Sequence, residues 1–174
     1  FEYRKNYLKR NVSDEIQIRA FEMLADHKYT PKANCIIGMP DETRELIFDT
    51  INFTRKLPKT MEGTGAFIFA PYHGTPLREL AIKKGYIKED DIVTLGITGG
   101  DKSMLNMPHL SSDEIGGLAK TFSYYIKFPL ERWDEIKVAE RFTPEGDKMH
   151  KKLGEEFDEK YRDPLDKNSI DAVM

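Results

Sequence analysis

Cysteine is almost absent from this chain: Cys35 stands alone among 174 residues. One thiol cannot close an internal disulfide, so the fold is not a stapled secreted scaffold. Nor can it supply the several thiolates that a multi-cysteine zinc or iron–sulfur site takes from a chain. Long apolar runs are missing too. None approaches the roughly eighteen residues that signal a membrane helix, and the opening "FEYRKNYLKR" lacks the apolar core of a signal peptide. The chain is therefore expected to be cytoplasmic, with no membrane partner. Charge of one sign is also lacking: 27 basic against 30 acidic residues leave a net −3, which gives no footprint for nucleic acid or acidic lipid. A Gly-rich phosphate loop of either common form does not occur, which weakens the reading as an ordinary nucleotide-binding α/β domain.

What is present is a composition of 39% hydrophobic and 11% aromatic residues, enough for one cored domain or for part of a larger one. The chain opens on Phe1 and runs at once toward a helix. That is the look of a fragment, and the missing N-terminal half of the same protein is an expected partner.

Periodicity supplies the elements. Ser13 suits an N-cap, Asp14 and Glu15 suit a first turn, and Ile16, Ala20, Phe21 and Leu24 recur at helical spacing. Residues 32–39 hold Ala33, Cys35, Ile36 and Ile37 between Pro31 and Gly38, the pattern of a strand buried on both faces of a parallel sheet. Asp41 or Thr43 caps the next helix, whose row is Leu46, Thr50, Phe53 and Leu57, widened by Ile47 and Ile51. Residues 63–72, "GTGAFIFAPY", read as a second buried strand. "HGTPLRELAIKKG" then reads as a turn and short helix, with Thr75 as N-cap and Pro76 at the first position.

The order helix, strand, helix, strand, helix predicts a βαβ-type layer. After a connector at residues 96–110, Ser111 and Glu114 form a capping box before Ile115, Leu118, Ala119, Phe122 and Ile126. Tyr124 and Tyr125 lie beside that row and read as packing. Residues 130–142 and 144–161 have helical composition, and residues 163–174 are expected to be a disordered tail.

Three features carry possible chemistry. At "IIGMPDE" an α/β strand ends in a Gly-x-Pro turn, where backbone can approach a ligand; the same residues also serve as a plain turn into a helix. "FAPYHGTPL" is a second strand exit leading to a helix N-terminus, and its His73, with no visible partner, reads as a turn residue. "RKNYLKR" holds four cations, a solvated face by default, within which Arg10 has the planar fork that suits a carboxylate. Cys35 sits within an apolar pattern and reads as a small buried hydrophobe.

Together "RKNYLKRNVSDEIQIRAFEML", "NCIIGMPDET" and "FIFAPYHGTPLRELAIKKGYI", in that order and spacing, resemble the C-terminal half of the catalytic barrel of radical S-adenosylmethionine enzymes, in particular the type that carries a cobalamin-binding domain. "MPHLSSDEIGGLAKTFSYYIKFP" looks like the helices that follow that barrel. The resemblance implies an α/β fold, the C-terminal half of a partial (β/α) TIM-like barrel over residues 1–100, with accessory helices over 101–162. It implies an enzyme that cleaves S-adenosylmethionine reductively to a 5′-deoxyadenosyl radical at a 4Fe–4S cluster. The cluster's three cysteines would lie upstream, cobalamin would belong to the parent protein, and this chain would be inactive alone.

By the same resemblance Ile37 and Gly38 would lie along the adenine with Glu42 in support. Ala70, Pro71 and Tyr72 would touch it from the neighbouring exit, and Arg10 would reach the methionine carboxylate. The chain departs from the commonest form of the motif by placing Asp41 where Gly is usual. The substrate, a small molecule or otherwise, is not encoded in these motifs. A second expectation, of another class, is a non-catalytic α/β binding or docking module using the Ser111 helix and the polar tail as its surface.

Overall fold

A computed structural model describes residues 2–29, 31–58, 65–93 and 102–161. The expected tail at 163–174, the start of the second strand at 63–64 and residues 96–101 of the connector lie outside the described residues. The chain is mixed α/β, mostly helical, with a small parallel sheet. In order come α1 (Glu2–Tyr7), α2 (Asp14–Asp26), β1 (Asn34–Ile37), α3 (Arg44–Lys56), β2 (Gly65–Ile68), α4 (Pro76–Lys83) and α5 (Ser112–Lys127). A 3-10 turn, Leu130–Arg132, then leads into α6 (Trp133–Ala139) and α7 (Pro144–Tyr161).

The helix starts follow their caps. Ser13 Oγ accepts from Ile16 N at 3.3 Å, Thr43 Oγ1 from Leu46 N at 3.4 Å, and Thr75 Oγ1 from Arg78 N at 3.4 Å. Thr43, not Asp41, is therefore the cap of α3. Ser111 and Glu114 satisfy both orphan amides of the capping box.

β1 and β2 pair in parallel, with Asn34 opposite Gly65 and Ile37 opposite Ile68. The pairing runs one step further, as Phe69 N donates to Ile37 O at 2.8 Å. Side chains alternate across a strand, so Cys35, Ile37, Ala66 and Ile68 face the helices and join the core. Ile36 and Phe67, register partners on the other face, are 53% and 51% exposed. Burial on both faces, expected from the unbroken apolar run, does not hold among the described residues. Helices cover one side only, and hydrophobicity alone cannot say which side lacks a neighbour.

The core is centred on α5. Ile115, Leu118 and Phe122 are fully buried, and Tyr124 and Tyr125 are buried with them. α5 lies against β2, α3, α6 and α7. On α3 the buried residues are Ile47, Ile51 and Thr54: Ile47 and Ile51, expected to widen the apolar face, are its centre, and the expected row of Leu46, Thr50, Phe53 and Leu57 is part-buried beside them. The face is set by α5, whose position the pattern of α3 does not contain. Gly117 permits the end of α6 to come close, since a Cβ there would stand 2.5 Å from the Glu140 carbonyl oxygen.

Two arginines fasten this layer. Arg55 of α3 donates through Nη1 to the carbonyls of Tyr125, Ile126 and Phe128 at 2.6, 2.9 and 2.8 Å. A cation thereby closes the C-terminus of α5, where the orphan carbonyls and the helix dipole favour one. Arg44 holds both carboxylate oxygens of Glu140 at 2.7 and 2.9 Å, and the Tyr125 hydroxyl donates to the same carboxylate. Burial first, and the Glu140 charge second, push the Tyr125 phenol up from its ordinary value.

Candidate functional site

The site to examine is the carboxyl end of the two strands, where Gly38 and Phe69 leave the sheet side by side. Gly38 has φ +79°, a conformation open to glycine, and a Cβ there would stand 2.7 Å from Ile115 Cγ2. Gly38 is thus required twice, by the backbone and by α5 lying against it. Residues 37–40 are buried.

Glu42 folds back under this turn. Its Oε2 accepts from Gly38 N at 2.6 Å and from Met39 N at 3.2 Å, and the side chain is 4% exposed. Burial pushes its carboxyl up to about 7, with the Met39 and Gly38 amides pulling the other way. The Glu42 carbonyl accepts from His109 Nε2 at 3.1 Å, which brings the 103–110 loop onto the turn. Because Glu42 takes both amides, Phe69 takes the Ile37 carbonyl and residues 37–40 are buried, the group left open to a ligand beside this exit is the Ile36 side chain. Those two amides are not free to receive it.

Asp41 is the outward member of the turn, at φ +64°. Its carboxylate accepts from Tyr86 Oη at 2.7 Å, from Lys84 Nζ at 2.7 Å and from Tyr7 Oη at 3.0 Å. Partial burial opposes its charge, and the bonds from Lys84, Tyr86 and Tyr7 more than offset this, holding the carboxyl below its ordinary range. Tyr3 of α1 donates to the Pro40 carbonyl at 2.7 Å and stacks on Tyr7 with ring centres 4.6 Å apart.

At the second exit Ala70 and Pro71 are buried and Tyr72 is 53% exposed. The Pro71 carbonyl is held by Arg78, which is 2% exposed and also donates to the carbonyls of Glu89 and Asp91. His73 is an exposed turn residue. Cys35 is half-buried, 3.8 Å from Thr54 Oγ1, and burial pushes its thiol up, so it is not poised as a nucleophile.

Of the residues expected to meet a cofactor, Ile37, Gly38, Glu42, Ala70, Pro71 and Tyr72 gather at one end of the sheet. Arg10 comes from the N-terminal segment instead. It lies exposed between α1 and α2, with its backbone N–H on the Arg4 carbonyl, and among the described residues no hydrogen bond ties it to the β1 exit. Sequence reasoning missed Arg78, the three donors on Asp41 and the His109 contact. An arginine on an amphipathic helix carries no mark of burial, and a tyrosine's partner 34 residues away leaves no local pattern.

The donor set can be tested against the cofactors the resemblance implies. Among the described residues no group of three or more His, Cys, Asp or Glu side chains could hold a metal ion. Cys35 as sole thiol does not fit a 4Fe–4S cluster. No described helix is long and apolar enough to cross a membrane. No family model matches the chain, and neither a curated protein nor a solved structure matches it.

Proposed function

We propose that this chain is the C-terminal part of a radical S-adenosylmethionine enzyme, a half barrel with accessory helices, and that its two strand exits flank the adenine of that cofactor. The observation that supports this reading best is the bare face of the parallel sheet. Parallel strands occur almost only with both faces covered, yet Ile36 and Phe67 stand open beside each other. Further strands from the upstream part of the protein would close a barrel round that face. The exits of β1 and β2 would then sit on its ligand-bearing rim.

On this reading the chain's own residues do three things. Ile36, exposed beside the buried Ile37–Gly38 segment, offers an apolar side-chain surface against which an adenine can lie, keeping water from the reacting centre. Glu42 holds the Gly38–Met39 amides so that the surface keeps one shape. Tyr72, exposed at the neighbouring exit, offers a ring edge. Cofactor cleavage belongs to the cluster, whose ligands are assigned to upstream sequence, and the bound cofactor supplies the radical chemistry. Arg10, exposed between α1 and α2, would reach the methionine carboxylate.

The test is purification of the full-length protein with reconstituted iron and sulfide, followed by reduction in the presence of S-adenosylmethionine. 5′-Deoxyadenosine should appear, and should fall when Phe67 is replaced by Lys at the sheet face. Full-length protein that holds a cluster but leaves the cofactor intact contradicts the reading.

A docking module is favoured by one observation. α2 has no buried residue and shows Ile16 and Met23 about 60% exposed. The Ser111 helix, α5, is core and offers no such surface.

A further inference from the structure

The turn after β1 carries a non-glycine residue, Asp41, at positive φ, a conformation that disfavours it relative to glycine. Asp41 gains in exchange a carboxylate that reaches three donors on separate parts of the chain. α1 buries no residue, and its ties to the rest of the chain include Tyr3 on the Pro40 carbonyl, Tyr7 on Asp41, Arg4 paired with Asp14, and the Arg4 guanidinium 5.8 Å from the Phe53 ring centre. Two of these end on the turn between β1 and α3. The end of α4 is tied to the same carboxylate by Lys84, and the chain just beyond it by Tyr86.

We propose that Asp41 is a positioning residue: its carboxylate latches α1 and the end of α4 onto the exit of β1, and so fixes the shape of the strand exit that a ligand meets. The link to a ligand rests on the function proposed above; the latch itself does not. A single carboxylate serves because each oxygen accepts more than one donor, and because Tyr7, Lys84 and Tyr86 approach it from different elements. Removing the carboxylate loosens both segments together, while Tyr3 still ties α1 to the Pro40 carbonyl and Glu42 still holds Gly38 and Met39 from beneath. The strand exit would then keep its backbone turn and lose its outer wall.

Asp41→Gly separates the latch from the turn, since glycine relieves the positive φ and deletes only the carboxylate. Hydrogen–deuterium exchange on the 174-residue chain is expected to quicken about tenfold or more across α1 and residues 84–88, with β1 and α5 unchanged. Tyr7→Phe combined with Tyr86→Phe leaves the turn and the Lys84 pair intact and should quicken exchange in α1. In the full-length enzyme, Asp41→Gly should raise KM for S-adenosylmethionine about tenfold with kcat within about twofold, a split that general destabilisation does not produce.

Unchanged exchange in α1 in both variants overturns the latch. Faster exchange with unchanged KM overturns its connection to the ligand. Absence of cofactor cleavage by the unsubstituted full-length protein overturns the function, and the exchange data still decide the latch.

Discussion

Gly38 and Glu42 carry the strand exit between them, and each makes a sharp prediction. For Gly38→Ala the left-handed backbone costs about 1–2 kcal/mol, and overpacking against Ile115 adds about 1–3 kcal/mol. Urea unfolding should therefore show a loss of about 2–5 kcal/mol. In an Ile115→Ala background the added cost of Gly38→Ala should fall, because the clashing atom is gone. Glu42 predicts a pH effect. Its carboxyl, ordinarily at 4.5, sits at about 7 in the fold, so between these values the folded state keeps a proton that the unfolded state has lost. Its contribution is present in full below about pH 4.5 and is lost as pH rises through 7, by about 3 kcal/mol in all. Glu42→Gln removes the titration. The variant should gain stability relative to the parent chain as pH is raised from 5 to 8, read from urea midpoints; a constant difference would refute the assignment. The sequence shows the Gly-x-Pro turn and an acid near it, but not that the acid is desolvated. Burial of Glu42 depends on His109 and α5, which lie more than sixty residues further along the chain.

At the level of elements the helices were the most legible part. Ser13, Thr43 or Asp41, Thr75 and the Ser111–Glu114 box mark the starts, because a cap is a local bond between residues three apart. Where the centre of a helix's buried face falls is not local: on α3 it lies on Ile47 and Ile51, with Leu46, Thr50, Phe53 and Leu57 part-buried beside them, because α5 lies there. The Arg55 clasp on α5 was illegible for the same reason, since it joins residues seventy apart. Arg55→Met keeps the length and removes the donors, leaving three carbonyls at a helix end unpaired. A loss of about 2–3 kcal/mol is expected in thermal or urea unfolding. Arg55→Lys should recover only part of it, because the shorter side chain has to bring its ammonium to the place where Arg55 Nη1 meets all three carbonyls. Equal stability of Arg55→Met and the parent chain would show that water serves those carbonyls as well.

At the scale of the molecule, the parallel pairing of β1 and β2 agrees with the apolar runs and with the helix between them. The bare face of Ile36 and Phe67 was not foreseen, because an apolar run reads the same whether or not its neighbours are at hand. That face bears most directly on what the chain is. If it is a half barrel, Phe67→Lys should change the stability of this chain by less than about 0.5 kcal/mol, as for an exposed position, while preventing the full-length protein from closing. The most direct measurement is cluster reconstitution of this chain and of the full-length protein side by side, followed by reduction with S-adenosylmethionine. The assignment predicts no cluster on this chain, whose only thiol is Cys35, and on the full-length protein a 4Fe–4S cluster with release of 5′-deoxyadenosine. A full-length protein that binds no cluster and releases no 5′-deoxyadenosine would contradict it.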